Sequence, residues 1–211
     1  LPLHHSFTST PSMFDIHSKI FLVVSGYYPP IVGGTSTVIR NLLSAFRTDS
    51  YAVVSESPHA LDGTHNNAVH EGVRVTRVGA RLSWLQHVPY GTNLMRRARF
   101  AAIPRIAKII GQVAHEINAE RIIAVHPSWP FFIAALQAHR ATGIPLTTYH
   151  MDITPQPGAS SDQITIDCSG HERDAISSAS NRLVLSEALK TVFEQRYGLP
   201  FISIPHAISV P

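Results

Sequence analysis

The stretch Lys19–Leu43, KIFLVVSGYYPPIVGGTSTVIRNLL, decides how this chain is read. Its opening, KIFLVVS, is apolar and β-branched with no alternation, the pattern of a strand buried on both faces. Its end carries Val38, Ile39, Leu42 and Leu43 at helical spacing, and Phe46 continues the row. Between them lie two prolines and the adjacent pair Gly33 and Gly34. A strand, a glycine turn and a helix opening at Thr35–Ser36 offer a seat for an anion. Free N–H groups and the helix dipole point towards it, and hydroxyls add to the set. The same glycines also serve a tight turn alone, and spacing leaves both readings open. The motif is not GxGxxG, and no lysine follows to make a Walker loop, so neither a dinucleotide nor a nucleoside-triphosphate loop is expected.

Working outward, the chain alternates short β-rich runs with longer helical patterns. Strands are expected at 19–25, 51–57 (YAVVSES), 73–79 (VRVTRVG, less buried), 121–126 (RIIAVH), 145–152 (PLTTYHMD), 182–186 (RLVLS) and 201–205 (FISIP). Helices are expected over Thr35–Phe46, over 94–118 with a kink or split at Pro104, over Trp129–Thr142 stopped by Gly143, over His171–Ser180, and over Glu187–Tyr197 stopped by Gly198. Residues 58–72 and 80–93 read as loops, and 156–163 as a mobile turn. About seven strands with helices between most of them specify an α/β fold, a parallel sheet covered on both faces. There is no internal repeat and no linker. Residues 1–17 are expected to form a flexible arm ahead of one domain over 18–211.

Composition narrows the function classes. The chain is 211 residues long, 44% hydrophobic and 15% charged, which fits a folded domain. No apolar run approaches the ~20 residues needed to cross a bilayer. The N-terminal segment lacks the pattern of a signal peptide. The lone Cys168 excludes an internal disulfide, suits a reducing compartment, and reads as a small core residue. Between Gly72 and His115 there is no acid, and Arg74, Arg77, Arg81, Arg96, Arg97, Arg99, Arg105 and Lys108 give +8, leaving −5 for the rest of a chain whose total is +3. That asymmetry suggests an anionic partner on one face.

In open α/β sheets, ligands sit beyond the carboxyl ends of the strands. Ser25–Gly34, His126–Trp129, His150–Asp152 and Ser186 are delivered there. His150, at a strand end two residues before Asp152, is suited to hydrogen-bond a sugar hydroxyl or to stabilise developing charge. His126 has a similar position, and His206 follows the last strand. No histidine pair has the spacing of a helical zinc motif, so no protein-held metal is expected. Asp152 is the one well-placed carboxylate, which argues against paired-carboxylate glycoside hydrolysis. A GxSxG nucleophile elbow is absent.

Three segments together resemble a known family. YYPPIVGGTSTVIRNLL resembles the P-P-x-x-G-G turn and helix of retaining glycosyltransferases of family four, which have the GT-B fold. AVHPSWPFFIAALQAHRATGIPLTTYHMDI resembles that family's strand, helix, G-I-P turn and strand with a His-Asp-like end. RLVLSEALKTVFEQRYGLPFISIPHAI resembles its strand ending in Ser, helix with a Tyr-Gly turn, and final "IPNG" strand. The resemblance runs over about residues 19–208 in order. It implies the N-terminal, Rossmann-like half of a GT-B enzyme, binding the acceptor. Gly33, Gly34 and Thr35 would approach the acceptor or the donor diphosphate, His150 would act catalytically on the transferred sugar, and His126, Asp152 and Ser186 would line the substrate site. Two departures stand out. Pro205-His206-Ala207 replaces Pro-Asn-Gly, and the donor domain with its Glu-x7-Glu motif has no counterpart, since Glu187 and Glu194 are separated by six residues on the wrong helix.

The expected function is therefore the acceptor-binding half of a nucleotide-sugar-dependent glycosyltransferase, inactive without its second domain or a split subunit. No cofactor is expected beyond the nucleotide-sugar donor as co-substrate. The acceptor would be a sugar, a lipid-linked molecule or another small molecule. Arg96, Arg97, Arg99, Arg105 and Lys108 flank an apolar stripe and would dock on an anionic membrane or acceptor, with a cytoplasmic location at the inner face. The alternative is a non-catalytic Rossmann-like module holding a sugar, nucleotide or partner protein. Nucleic acid is not expected, because aromatic platforms are absent.

Overall fold

A strand buried on both faces requires neighbours on each side, and KIFLVVS has them. In the computed structural model, which describes residues 20–31, 33–57, 72–78, 91–153 and 163–204, apart from the side chains of 91–93, 163–167 and 169, this run is the inner strand β1 (Phe21–Ser25). It pairs in parallel with β2 (Tyr51–Glu56) on one side and β4 (Arg121–His126) on the other. Outward from β2 lies β3 (Arg74–Val78). Outward from β4 lie β5 (Leu146–His150), β6 (Asn181–Val184) and the two-residue β7 (Ile202–Ser203). The seven strands form one parallel sheet in the order β3-β2-β1-β4-β5-β6-β7. The order reverses between β1 and β4, so chain connections leave β1 and β4 in opposite directions and open a crevice at their carboxyl ends.

The helices are α1 (Gly34–Leu43), α2 (Gly91–Ala101), α3 (Ile103–Glu116), α4 (Trp129–Thr142), α5 (Gln163–Ser178) and α6 (Glu187–Tyr197). Side chains alternate across a strand, so each face of β1 carries its own core. Leu22 and Val24 join Ile122, Ala124 and Leu146 beneath α3, α4 and α5. Val23 points the other way, with Val53, Val125 and Tyr149, and is covered by Ile39 and Leu43 of α1. A third cluster, Ile176, Val184, Phe193 and Phe201, packs α6 onto the β6 end of the sheet. Helices therefore cover both faces of a Rossmann-like parallel sheet, as the alternating pattern implies.

The chemistry of the ends explains the boundaries. Pro104 lies in the first turn of α3, where its missing N–H costs nothing, so the expected helix over 94–118 is two helices broken at Ala102. Gly143 and Gly198 end α4 and α6 in left-handed conformations with φ of 72° and 66°. α1 is shorter than its apolar row suggests. It stops at Leu43, Ser44 bonds back to the Asn41 carbonyl, and the exposed Phe46 packs edge-on against Phe21. Residues 91–93, expected in a loop, open α2. The largest difference is α5, which begins eight residues before the expected His171. The β-branched Ile164, Thr165 and Ile166 and the interior Gly170 lower helix propensity there, which hides the start of the helix from a reading of sequence. The expected arm over 1–17, the loop at 58–71, the turn at 156–162 and Pro205-His206-Ala207 lie outside the described residues.

Candidate functional site at the carboxyl edge of the sheet

The β1–α1 connection is built by two close approaches. Gly26 follows β1 directly and is buried. A Cβ there would sit 2.0 Å from Ser128 Oγ and 2.8 Å from Ser128 Cβ, so the ends of β1 and β4 touch backbone to side chain at the reversal point. Ser25 then folds the turn, its Oγ accepting from the Tyr27 N–H at 3.1 Å and lying 3.1 Å from the Tyr27 carbonyl. Arg77, from the edge strand β3, reaches over the top. Its guanidinium donates to the carbonyls of Tyr28 and Glu56 at 3.3 Å and to that of Pro29, and it lies 5.7 Å from the Tyr28 ring centroid. Three main-chain acceptors from two connections thus converge on one half-buried cation.

Gly33 and Gly34 are exposed at the end of this clamped segment, and a Cβ on either would meet no heavy atom within 4 Å. Gly33 is the N-cap of α1, and among the described residues no side chain caps the helix. The N–H groups of its first turn, beside Thr35, therefore have no partner within the helix, with the positive end of the dipole behind them. Nothing within the described chain demands glycine at 34, whereas at 33 the backbone itself does, with φ 159° and ψ 163°, a region that other residues rarely adopt. The glycine that packing does demand is Gly26, which the sequence does not single out.

Histidines occupy the paired ends of β4 and β5. His126 and His150 are register partners, both on the α4–α5 face, with exposures of 2% and 0%. The rings lie 5.6 Å apart, and Trp129, Phe132 and Phe193 crowd around them, Trp129 at 4.7 Å from His126 and Phe193 at 4.7 Å from His150. Burial pushes His126 down to about 4, although Asp152 pulls the other way through its charge and a main-chain hydrogen bond. Burial, and then the neighbouring His126, holds His150 well below the ordinary imidazole range. Both rings are neutral at neutral pH. From α5, Glu172 enters the same pocket at 1% exposure. Its Oε1 lies 3.6 Å from His150 Nδ1, and its Oε2 accepts from Tyr197 Oη at 2.8 Å. One ligand atom from each of His126, His150 and Glu172 lies within 4.8 Å of the others, so among the described residues this trio is the group suited to a metal ion.

The remaining expected residues are placed as follows. Asp152 is exposed just past β5, its Oδ1 accepting from the Ile153 N–H at 2.8 Å. Ser186 is the N-cap of α6, its hydroxyl accepting from the Leu189 N–H at 3.2 Å, an assignment that gives it a structural task at this edge. His150 lies beneath the rim, not on it. Arg99 pairs with Glu56 at 2.8 Å, and Arg96 is half-buried and engaged within the chain. Arg97, Arg105 and Lys108 are exposed on α2 and α3. Of the other bases in the acid-free stretch, Arg74 pairs with Glu116 and Arg77 holds the β1–α1 segment, so much of that charge is used internally. Cys168 is a buried core residue of α5. A groove of about 530 Å³ between α3 and α4, lined by Pro104, Lys108, Gly111, His115 and Thr142, runs between the helices, and none of the rim residues lines it.

Sequence reasoning misses Glu172 and Arg77. A signal for Glu172 exists: Cys168, Glu172, Ala175, Ile176 and Ala179 share one buried stripe, so a carboxylate sits at an apolar position of the helix. Starting the helix at His171 hides that stripe.

No protein-family model matches the chain, and no curated protein matches it. Solved structures do. Phytolacca americana UGT2, solved with UDP-2fluoro-glucose and pterostilbene, superposes with a TM-score of 0.60 at 12% identity, over 92% of this chain and 55% of that one. A glycosyltransferase from Rickettsia africae superposes with a TM-score of 0.53 at 11% identity, over 90% of this chain and 43% of that one. The chain therefore has the fold of a GT-B half-domain and spans about half the length of these neighbours. No described helix is long and apolar enough to cross a membrane.

Proposed function

We propose that this chain is the acceptor-side half of a nucleotide-sugar-dependent glycosyltransferase. The observation that carries the reading is the uncapped, exposed N-terminus of α1 at the point where the strand order reverses, fronted by Gly33 and Gly34. Main-chain donors there suit a diphosphate or a hydroxyl-rich acceptor, gripped between this lobe and a second one. The fold likeness supports it, since one neighbour was solved with UDP-2fluoro-glucose and pterostilbene. Membership of family four, and with it retention of anomeric configuration, belongs to the proposal and rests on the three motif resemblances.

Within this reading Thr35 and Asp152 complete the rim, while His126 and His150 shape it from beneath. Arg97, Arg105 and Lys108 offer an anionic membrane or acceptor an exposed basic face, at the inner side of a membrane in the cytoplasm. A non-catalytic binding module is the second reading, and one observation favours it: His150, the residue proposed for catalysis, has no exposed surface.

The test is an assay of the 211-residue chain with UDP-glucose and a panel of phenolic and glycan acceptors. Acceptor binding without turnover is expected, with transfer appearing when a donor-binding GT-B lobe is supplied in cis. Turnover by these residues alone at enzyme-like rates contradicts the half-site reading. Binding with no transfer in any such fusion favours the module.

A further inference from the structure

We propose that His126, His150 and Glu172 form a buried site for a divalent transition-metal ion of the zinc class, tying α5 to the ends of β4 and β5. The donor set is two imidazoles and a carboxylate, a combination that Zn²⁺ takes readily with a water in the fourth position. Each ligand comes from a different element, and strand register fixes two of them, since His126 and His150 are directly paired.

Geometry supports the ion over a simple hydrogen-bonded trio. Bonds of about 2.0–2.2 Å at tetrahedral angles place ligand atoms roughly 3.3–3.5 Å apart. His150 Nδ1 and Glu172 Oε1 are 3.6 Å apart, long for a hydrogen bond and close to that spacing. The widest separation in the trio, at most 4.8 Å, needs to contract by roughly 1.4 Å to reach it. Neither ring nitrogen of His150 has a hydrogen-bond partner among the described residues, although the ring is fully buried. A native interior seldom leaves such a group unserved without an unseen ligand or water. The second shell is also present. Tyr197 donates to the far oxygen of Glu172 and fixes the carboxylate, and Asp152 adds negative charge beside His126. Trp129, Phe132 and Phe193 keep bulk water out. The burial that keeps the site from substrate makes the ion a structural one, and the proposal is independent of the glycosyltransferase reading.

The experiment uses the full chain, stripped with chelator and titrated with ZnCl₂ by calorimetry, then with CoCl₂ by visible absorption. One equivalent is expected to bind, the cobalt form to show the intense d–d bands of a low-coordinate site, and the unfolding midpoint to rise on loading. Tyr197→Phe is expected to weaken binding about tenfold without unfolding the chain, as second-shell losses do. Glu172→Gln is expected to abolish it. If the stripped chain is unfolded, refolding on zinc addition supports the site. Overturning results are a folded, stripped chain that takes up neither ion, or uptake unchanged in both variants, which would assign it to surface histidines.

Discussion

A Cβ meets opposite fates at two glycines eight residues apart. At Gly26 it would enter Ser128, so Gly26→Ala is expected to cost about 1–3 kcal/mol in denaturant unfolding, the usual range for overpacking. At Gly34 it would enter open space, so Gly34→Ala is expected to move stability by no more than about 0.5 kcal/mol. If that space belongs to a guest, the same variant weakens guest binding by roughly tenfold, the worth of one hydrogen bond to a charged group. Calorimetric titration beside the unfolding curves separates the two effects. The sequence quotes Gly33 and Gly34 as a pair and so makes them visible. Gly26 stays hidden, because the atom that excludes its side chain is about a hundred residues away in sequence.

Caps and clamps act at the scale of elements. Ser186 holds the first turn of α6, and Ser186→Ala is expected to cost about 0.5–2 kcal/mol while leaving ligand binding unchanged. A loss of binding with stability intact would place Ser186 in the substrate site. Arg77 ties an edge strand to the segment that presents Gly33. Arg77→Ala leaves three carbonyls short of a donor and is expected to cost about 1–3 kcal/mol, with faster amide exchange over residues 28–37. Element types and most boundaries are legible because periodicity, Pro104, Gly143 and Gly198 are local signals. α5 is not, because its first half has weak helix formers. The assignment of Arg77 is equally illegible: composition shows a base in a basic stretch, and only the parallel register of β2 and β3 brings it to the loop.

For the whole molecule, seven strands in an order that reverses once set the crevice, and alternating β and α patterns were enough to foresee the sheet. The buried trio was not foreseeable by searching for local metal spacing, since its members lie on three elements. The basic face is a whole-molecule property too. Co-sedimentation with vesicles containing anionic lipid is expected to show binding that falls with salt and with Arg97→Ala/Arg105→Ala/Lys108→Ala, while binding indifferent to lipid charge would remove the membrane from the account. The most direct measurement of the central claim is an amide-resolved NMR titration of the chain with UDP-glucose. The account predicts saturable shifts of the Gly34, Thr35 and Ser36 amides that disappear in Gly34→Val. Binding that leaves those three amides unmoved, or no binding at millimolar ligand, would contradict it.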